Sequence, residues 1–255
     1  ELSDEPAVLA KNCPGIQVIV DPDRVHGAKI AIERYSAEAL VLDDGFQHRR
    51  LARSLNILAV DATCPFGYEK LLPAGLLREP LSELKRADAV IITRFDLAGA
   101  EQIVNLERFI QQAAGPIPIA RAIHRHHHAI GLNGQMISLE ELRKKKLFVY
   151  CGIGNPSAFV NCLTQDGMTV VGTKFFNDHH VYSIRDIRAI DTLARQCGAD
   201  MALCTQKDWV KTAAFCKQVG QVTYGSLAME LEFISNADII QSLVDKAIEP
   251  ITGKI

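Results

Sequence analysis

A chain of 255 residues has room for one large α/β domain or two smaller ones, and 48% apolar with 23% charged residues is ordinary for a globular protein. Its 28 basic and 30 acidic side chains leave a net charge of −2, which excludes a global electrostatic pull toward nucleic acid. Seven cysteines form neither a CxxC pair nor a disulfide-like framework, so reduced thiols in the cytosol are expected; no apolar run reaches the ~20 residues of a membrane helix, and no signal peptide is visible.

Residues 4–10 read as an acidic helix start with Pro6 in its first turn. Residues 17–20 read as a strand closing at Asp21-Pro22-Asp23, and residues 24–35 as a helix with Val25, Ala28 and Ile32 on one face. Three short runs, residues 39–42, 57–60 and 89–93, are apolar on both faces, as strands of a covered parallel sheet are. The stretch from Asp61 to Pro80 is irregular, and a helix follows over residues 101–113. Composition shifts at Gly115-Pro116-Ile117-Pro118, and Gly131-Leu132-Asn133-Gly134 reads as a hairpin turn. Ser138 caps a short charged helix. A second α/β unit then runs through strands at 147–150, 170–171 and 201–205 and helices at 156–163, 185–196 and 238–248. The expected fold class is α/β, as two Rossmann-like lobes: residues 1–115, a linker with a hairpin at 116–137, and residues 138–255. The terminal helix is expected to pack back on the first lobe.

The most informative stretch is Leu-Asp-Asp-Gly-Phe-Gln-His-Arg-Arg at residues 42–50. An apolar run ending in two carboxylates suits the Mg²⁺-holding acids of phosphoryl transfer, with Gly45 admitting a phosphate and Gln47 and His48 within reach of the metal or its waters. The same residues also suit an Asp-Gly turn with Arg49 and Arg50 as solvated charge. In the apolar loop at residues 71–81, Arg78 has the fork that binds phosphate, or it pairs with Glu79 inside a packed loop. Asp4 and Glu5 alone read as helix N-terminal charge. The histidines at 124 and 126–128 alternate sides of an extended segment, which argues against one shared ion and for a solvated strand between the lobes. Gly152-Ile153-Gly154 lacks the third glycine of a dinucleotide fingerprint and reads as a tight strand-to-helix turn. Residues 205–208 read as an N-capped helix start, the alternative being that Lys207 faces the cleft between the lobes.

Together these segments closely resemble the tetraacyldisaccharide 4′-kinase family of lipid A biosynthesis in Gram-negative bacteria. The resemblance rests on residues 42–50, 71–81 and 85–91, then on 151–156, the Asn-Asp-His-His cluster at 177–180, and 205–211, in order. It implies transfer of the γ-phosphate of ATP, with Mg²⁺, to the 4′-hydroxyl of a lipid-linked glucosamine disaccharide at the cytoplasmic face of the inner membrane, and no nucleic-acid partner. It also implies roles: Asp4 as the base for the sugar hydroxyl and His179, rather than His180, as its partner. Asp43 and Asp44 would be Walker-B-like metal acids, with Gln47 and His48 beside the metal and nucleotide. Arg24, Arg78, Glu79 and His180 would face phosphate or substrate, with Glu79 also near the metal.

One departure from the family is large. None of the 17 glycines opens a Gly-x-x-x-x-Gly-Lys-Ser/Thr phosphate loop, and the family's amphipathic N-terminal segment is not seen. The expectation is therefore an N-terminally truncated kinase, inactive by itself and with a destabilised first lobe. The rivals are a non-catalytic nucleotide- or lipid-binding homologue and a metal-dependent phosphohydrolase using the same acids.

Overall fold

In chain order, the computed structural model, which describes residues 4–249, has sixteen main elements. They are α1 (Asp4–Asn12), α2 (Arg24–Tyr35), β1 (Ile57–Asp61), β2 (Ala89–Thr93), α3 (Ala100–Ala114), β3 (Ile119–Gly131), β4 (Met136–Ser138) and α4 (Leu139–Arg143). Then come β5 (Lys146–Cys151), α5 (Pro156–Gln165), β6 (Thr169–Phe175), α6 (Ile184–Gln196), β7 (Met201–Thr205), α7 (Gln206–Val219), β8 (Thr223–Ser235) and α8 (Ala237–Ile248). The chain is an α/β protein with mostly parallel strands. It divides into two compact units, one holding α1 and His126–Glu230, the other holding Asp21–Arg125 and α8. The long strands β3 and β8 each begin in one unit and end in the other.

In the first unit, β5 pairs in parallel with β6 on one side and β7 on the other, and β7 pairs in parallel with β8. Successive side chains of a strand point to opposite faces, and β5 shows it. Leu147 and Val149 pack with Leu142 of α4, Leu163 of α5, Met201 and Leu203. Phe148 and Tyr150 pack on the other face with Ile187 and Ile190 of α6 and Trp209 of α7. Each such fully buried side chain contributes roughly 1.5–3 kcal/mol relative to exposure. Helix starts are fixed by side-chain caps. Ser138 and Ser183 form capping boxes with Glu141 and Asp186, Asn155 accepts from the Ala158 amide ahead of Pro156, and Thr205 accepts from the Asp208 amide.

The second unit repeats the design with β1, β2 and β3 in parallel. Val90 and Ile92 pack against Ile103, Leu106 and Ile110 of α3 on one face. Ala89 and Ile91 meet Ile240 and Leu243 of α8 on the other. The connection from β1 to β2 contains short 3-10 turns rather than an α-helix, and it carries the loop around Arg78.

Two expected strands are corrected. Residues 17–20 and 39–42 pair with no strand among the described residues. Apolar content alone does not make a strand: without a neighbouring ladder its backbone groups stay with water. Val41 is 98% exposed. In α2 the buried positions are Gly27 and Ala31, whereas Ile32 faces out.

Candidate functional site

Because β6 and β7 lie on opposite sides of β5, the first unit has a topological switch point at the carboxyl ends of β5 and β7, the place where open α/β sheets bind ligands. Its organiser is Asp208, fully buried in the first turn of α7. One carboxylate oxygen accepts from the Gly152 amide (3.0 Å) and the Tyr182 hydroxyl (2.8 Å), and the other accepts from the Thr205 hydroxyl (2.6 Å). The turn after β5 is thereby tied to the segment carrying residues 177–182. A Cβ at Gly152 would lie 3.0 Å from the Asn177 carbonyl oxygen and 3.2 Å from His180 Cβ, so the glycine is what allows that segment to lie so close. Burial, and then the charge of Asp208, push the Tyr182 hydroxyl far above its ordinary pKa, which keeps it a neutral donor.

The two histidines within this segment are placed differently. His179 has a left-handed backbone (φ 56°), and its amide donates to the Gly152 carbonyl (3.2 Å) and to Asp178 (3.0 Å). His180 stacks on Phe176 (ring centroids 4.5 Å apart), meets the edge of Tyr182 (4.9 Å) and lies 3.5 Å from Asp186. Asp4 is the first residue of α1, and its side chain lies outside the described atoms. Its neighbour Glu5 accepts from Lys207 of α7 at 2.5 Å. That hydrogen bond, with the charges of Lys207 and His179, holds the Glu5 carboxyl below its usual range.

In the second unit, residues 43–50 form a loop of turns rather than a strand end. Asp44 is left-handed (φ 50°), which a short polar side chain tolerates. Gly45 is buried so tightly that a Cβ would lie 2.5 Å from that of Leu42. Two arginines hold the loop from below. Arg53 donates to the carbonyls of Gly45 (2.6 Å) and His48 (3.2 Å). Arg86 donates to the Phe46 carbonyl (2.8 Å), lies over the Phe46 ring (4.2 Å), and pairs with Glu79 and with Glu83 (2.7 Å).

Arg78 and Glu79 do not pair with each other. Arg78 donates to Asp44, and Glu79 accepts from Arg86. The two motifs at residues 42–50 and 71–81 therefore meet through Asp44–Arg78 and through Arg86. Arg24, at the start of α2, donates to the Asp21 carbonyl, and its neighbour Asp23 lies 3.6 Å from Arg50. Gln47 and His48 are half-buried, their backbones fixed by the turns.

Sequence reasoning gave no site role to Arg53, Arg86 or Asp208, nor to Asp61 at the end of β1. Asp61 accepts from Thr63 and pairs with Arg94 at 2.7 Å. Burial works to raise its pKa, but the Thr63 bonds and the charges of Arg94 and His124 win and hold it low. A carboxylate closing a strand was the available signal.

The donor chemistry around Asp44 fits Mg²⁺. Asp43 and Asp44 are exposed hard oxygen donors, and among the described residues they belong to no cluster of three potential ligands. Mg²⁺ needs no all-protein cage, since it binds one or two carboxylates together with phosphate oxygens and water. Among the described residues the cluster that does converge is His126, Cys162 and Asp166. The expectation of a solvated histidine strand is thereby corrected at His126, whose side chain is 8% exposed and 2.8 Å from Asp166.

A family model described as tetraacyldisaccharide-1-P 4′-kinase matches residues 1–249. The chain is similar to the tetraacyldisaccharide 4′-kinase of Anaeromyxobacter sp. (strain K), 35% identical over 251 residues, covering 97% of this chain and 66% of that protein. It is 37% identical over 215 residues to that of Syntrophotalea carbinolica, covering 84% of this chain and 57% of that protein. A crystal structure described as the "apo" form of LpxK from Aquifex aeolicus in complex with ATP matches with a TM-score of 0.72 at 26% identity, covering 98% of this chain and 71% of that one. This chain spans just under two thirds of the length of the Anaeromyxobacter relative. By its match across residues 1–249, the chain belongs to the tetraacyldisaccharide-1-P 4′-kinase family.

Proposed function

We propose that this chain carries the metal-side acids and the hydroxyl-side base of a lipid kinase. The kinase moves the γ-phosphate of ATP to the 4′-hydroxyl of a tetraacyl glucosamine disaccharide 1-phosphate, peripherally at the cytoplasmic face of the inner membrane. No helix among the described residues is long and apolar enough to cross a membrane. We read the two units as Rossmann-like lobes, the Asp21–Arg125 unit being the P-loop-kinase-like one. The observation that carries the reading is the Arg78–Asp44 ion pair. It joins the two motifs that most resemble the family and sets a phosphate-binding fork beside a metal-binding carboxylate.

Bound Mg²⁺ supplies neutralisation of the charge that builds on the transferring phosphoryl group. Asp43 and Asp44 would hold it from an exposed turn, with Gln47 and His48 close by in the same loop. Arg78 and Arg24 bind phosphate oxygens. Glu79, tied to Arg86, keeps the loop in place. Asp4 accepts the sugar proton, and the placement of His179 near Glu5, the residue after Asp4, supports its role as the partner that keeps the base ionised. His180 stacks on Phe176 and meets the edge of Tyr182.

The test is transfer of labelled phosphate from ATP to the tetraacyl disaccharide 1-phosphate by the complete coding sequence around this chain. Asp4→Ala is expected to cut kcat with ATP affinity nearly unchanged, and Asp44→Ala to raise the Mg²⁺ concentration needed for half-maximal rate. The 255-residue chain alone is expected to be inactive, because it has no phosphate-loop sequence. Robust transfer by that chain alone would overturn the argument from the loop. Retained nucleotide or lipid binding without transfer by the complete protein would favour a non-catalytic homologue.

A further inference from the structure

The kinase reading leaves one convergent side-chain set unused, and it lies wholly within the first unit. His126 projects from β3, Cys162 from α5, and Asp166 is the C-cap residue of α5. Cys162 and Asp166 are four residues apart at the end of the helix, so both face the same side. One potential ligand atom from each of the three residues lies within 4.8 Å of the others. His126 Nδ1 is already 2.8 Å from Asp166 Oδ2. The imidazole is almost fully covered, whereas the carboxylate is 36% exposed, so the group has a dry side and a side open to water.

We propose that His126, Cys162 and Asp166 bind a borderline-soft divalent cation of the zinc type. Nitrogen, thiolate sulfur and carboxylate oxygen are the donors Zn²⁺ takes, and three protein ligands leave the fourth tetrahedral position to water. With metal–ligand bonds of about 2.0–2.3 Å, the ligand atoms of a tetrahedral site lie about 3.3–3.8 Å apart, so side-chain rotation by roughly an ångström closes the set. A magnesium-type ion would not select the thiol or the imidazole.

Local electrostatics favour a cation here. Asp166 sits where the carbonyl end of α5 disfavours negative charge. Its backbone carbonyl accepts from Arg143 Nε at 2.7 Å, but its carboxylate faces His126. A metal ion held by all three groups offsets that charge. On binding, the His126–Asp166 hydrogen bond is exchanged for one bond from each residue to the ion. The Cys162 thiol proton, and any second proton on the imidazole, passes to solvent.

The 255-residue chain is titrated with Co²⁺ near neutral pH and then with Zn²⁺. The expected result is one equivalent of Co²⁺ with thiolate-to-metal charge-transfer absorption, bleached by Zn²⁺, together with a rise in Tm in excess Zn²⁺. Cys162→Ser should abolish the band. His126→Ala and Asp166→Asn should each weaken Zn²⁺ binding by more than the roughly tenfold that loss of an outer-shell partner costs. Cys197→Ser, at an exposed thiol, should change nothing. The proposal is overturned if the unaltered chain gives no charge-transfer band with Co²⁺, a result that needs no variant to fold. It is also overturned if Cys162→Ser keeps the band, or if Cys197→Ser removes it, since the site would then be another thiol or a simple His–Asp ion pair.

Discussion

Lys207 on α7 brings its ammonium to 2.5 Å from the Glu5 carboxylate on α1, joining residues 202 positions apart. The contact ties the helix that opens with Asp4 to the helix whose first turn carries Asp208. Both partners are about half exposed, so Lys207→Ala is expected to cost only about 0.2–1 kcal/mol at neutral pH. The pH dependence is sharper evidence. The lowered pKa of Glu5 means its contribution is fully present above its unperturbed value of 4.5 and is lost as pH falls through the folded value. Urea midpoints of the two proteins should differ at pH 7 and converge in acid. A gap that persists well below that range would show that Lys207 acts through packing.

Asp208 is the group whose loss should be felt most in the first unit. Asp208→Ala leaves the Gly152 amide, the Tyr182 hydroxyl and the Thr205 hydroxyl without their buried acceptor, a loss of roughly 3–5 kcal/mol. Asp208→Asn keeps one acceptor oxygen and is expected to cost about 1–2 kcal/mol, and Tyr182→Phe about 1 kcal/mol. Because they share one carboxylate, the double variant should be less damaging than the two singles added. Hydrogen exchange gives the local readout: the His179 amide, bonded to the Gly152 carbonyl, should exchange faster once Asp208 is gone. Unchanged protection there would mean that the residue 177–182 segment is held by its aromatic stack alone.

Thiol reactivity should sort the seven cysteines by burial. Burial, then the nearby Asp208 charge, pushes Cys151 up to about 12, and burial pushes Cys216 up to about 11. Cys204 is raised well above its ordinary value by the same cause. At pH 8 a thiol with a pKa near 12 is roughly one part in ten thousand thiolate. Iodoacetamide followed by peptide mass spectrometry should therefore label exposed Cys13 and Cys197 first, Cys64 and Cys162 more slowly, and Cys151, Cys204 and Cys216 only in denaturant. Early labelling of Cys151 would show that the end of β5 opens in solution.

Much of this was legible in the chain where local pattern and tertiary demand agree. The apolar residues 147–150 and 201–205 form paired strands because helices cover both faces. The Ser138 cap and the Gly152 turn do what their residue types suggest. Residues 17–20 and 39–42 have the same apolar signature, but a ladder needs a neighbour that composition does not reveal. At His126, strand alternation argues against its neighbouring histidines converging. It is silent about Cys162 and Asp166, which come from a helix more than thirty positions later. Asp208 was read only as part of a helix start, because nothing local tells a solvated first-turn acid from a buried one.

Arg86 tests how the candidate metal loop is held. Its guanidinium is 18% exposed and serves the Phe46 carbonyl, the Phe46 ring, Glu79 and Glu83 at once. Arg86→Ala leaves two half-buried carboxylates facing each other and frees the backbone between Asp44 and Gln47. The expected loss is about 2–3 kcal/mol, below the ~3–5 kcal/mol of a fully buried pair because some water reaches the site. Arg86→Lys should recover little of it, since one ammonium cannot span a carbonyl and two carboxylates as the planar fork does. Under the proposed kinase reading, the same variants in the complete protein should raise the Mg²⁺ concentration needed for half-maximal rate while leaving the pH profile assigned to the proposed base Asp4 unmoved. If Arg86→Lys instead restores both stability and Mg²⁺ dependence, charge alone holds the loop, and the geometry of the fork is not what positions Asp43 and Asp44.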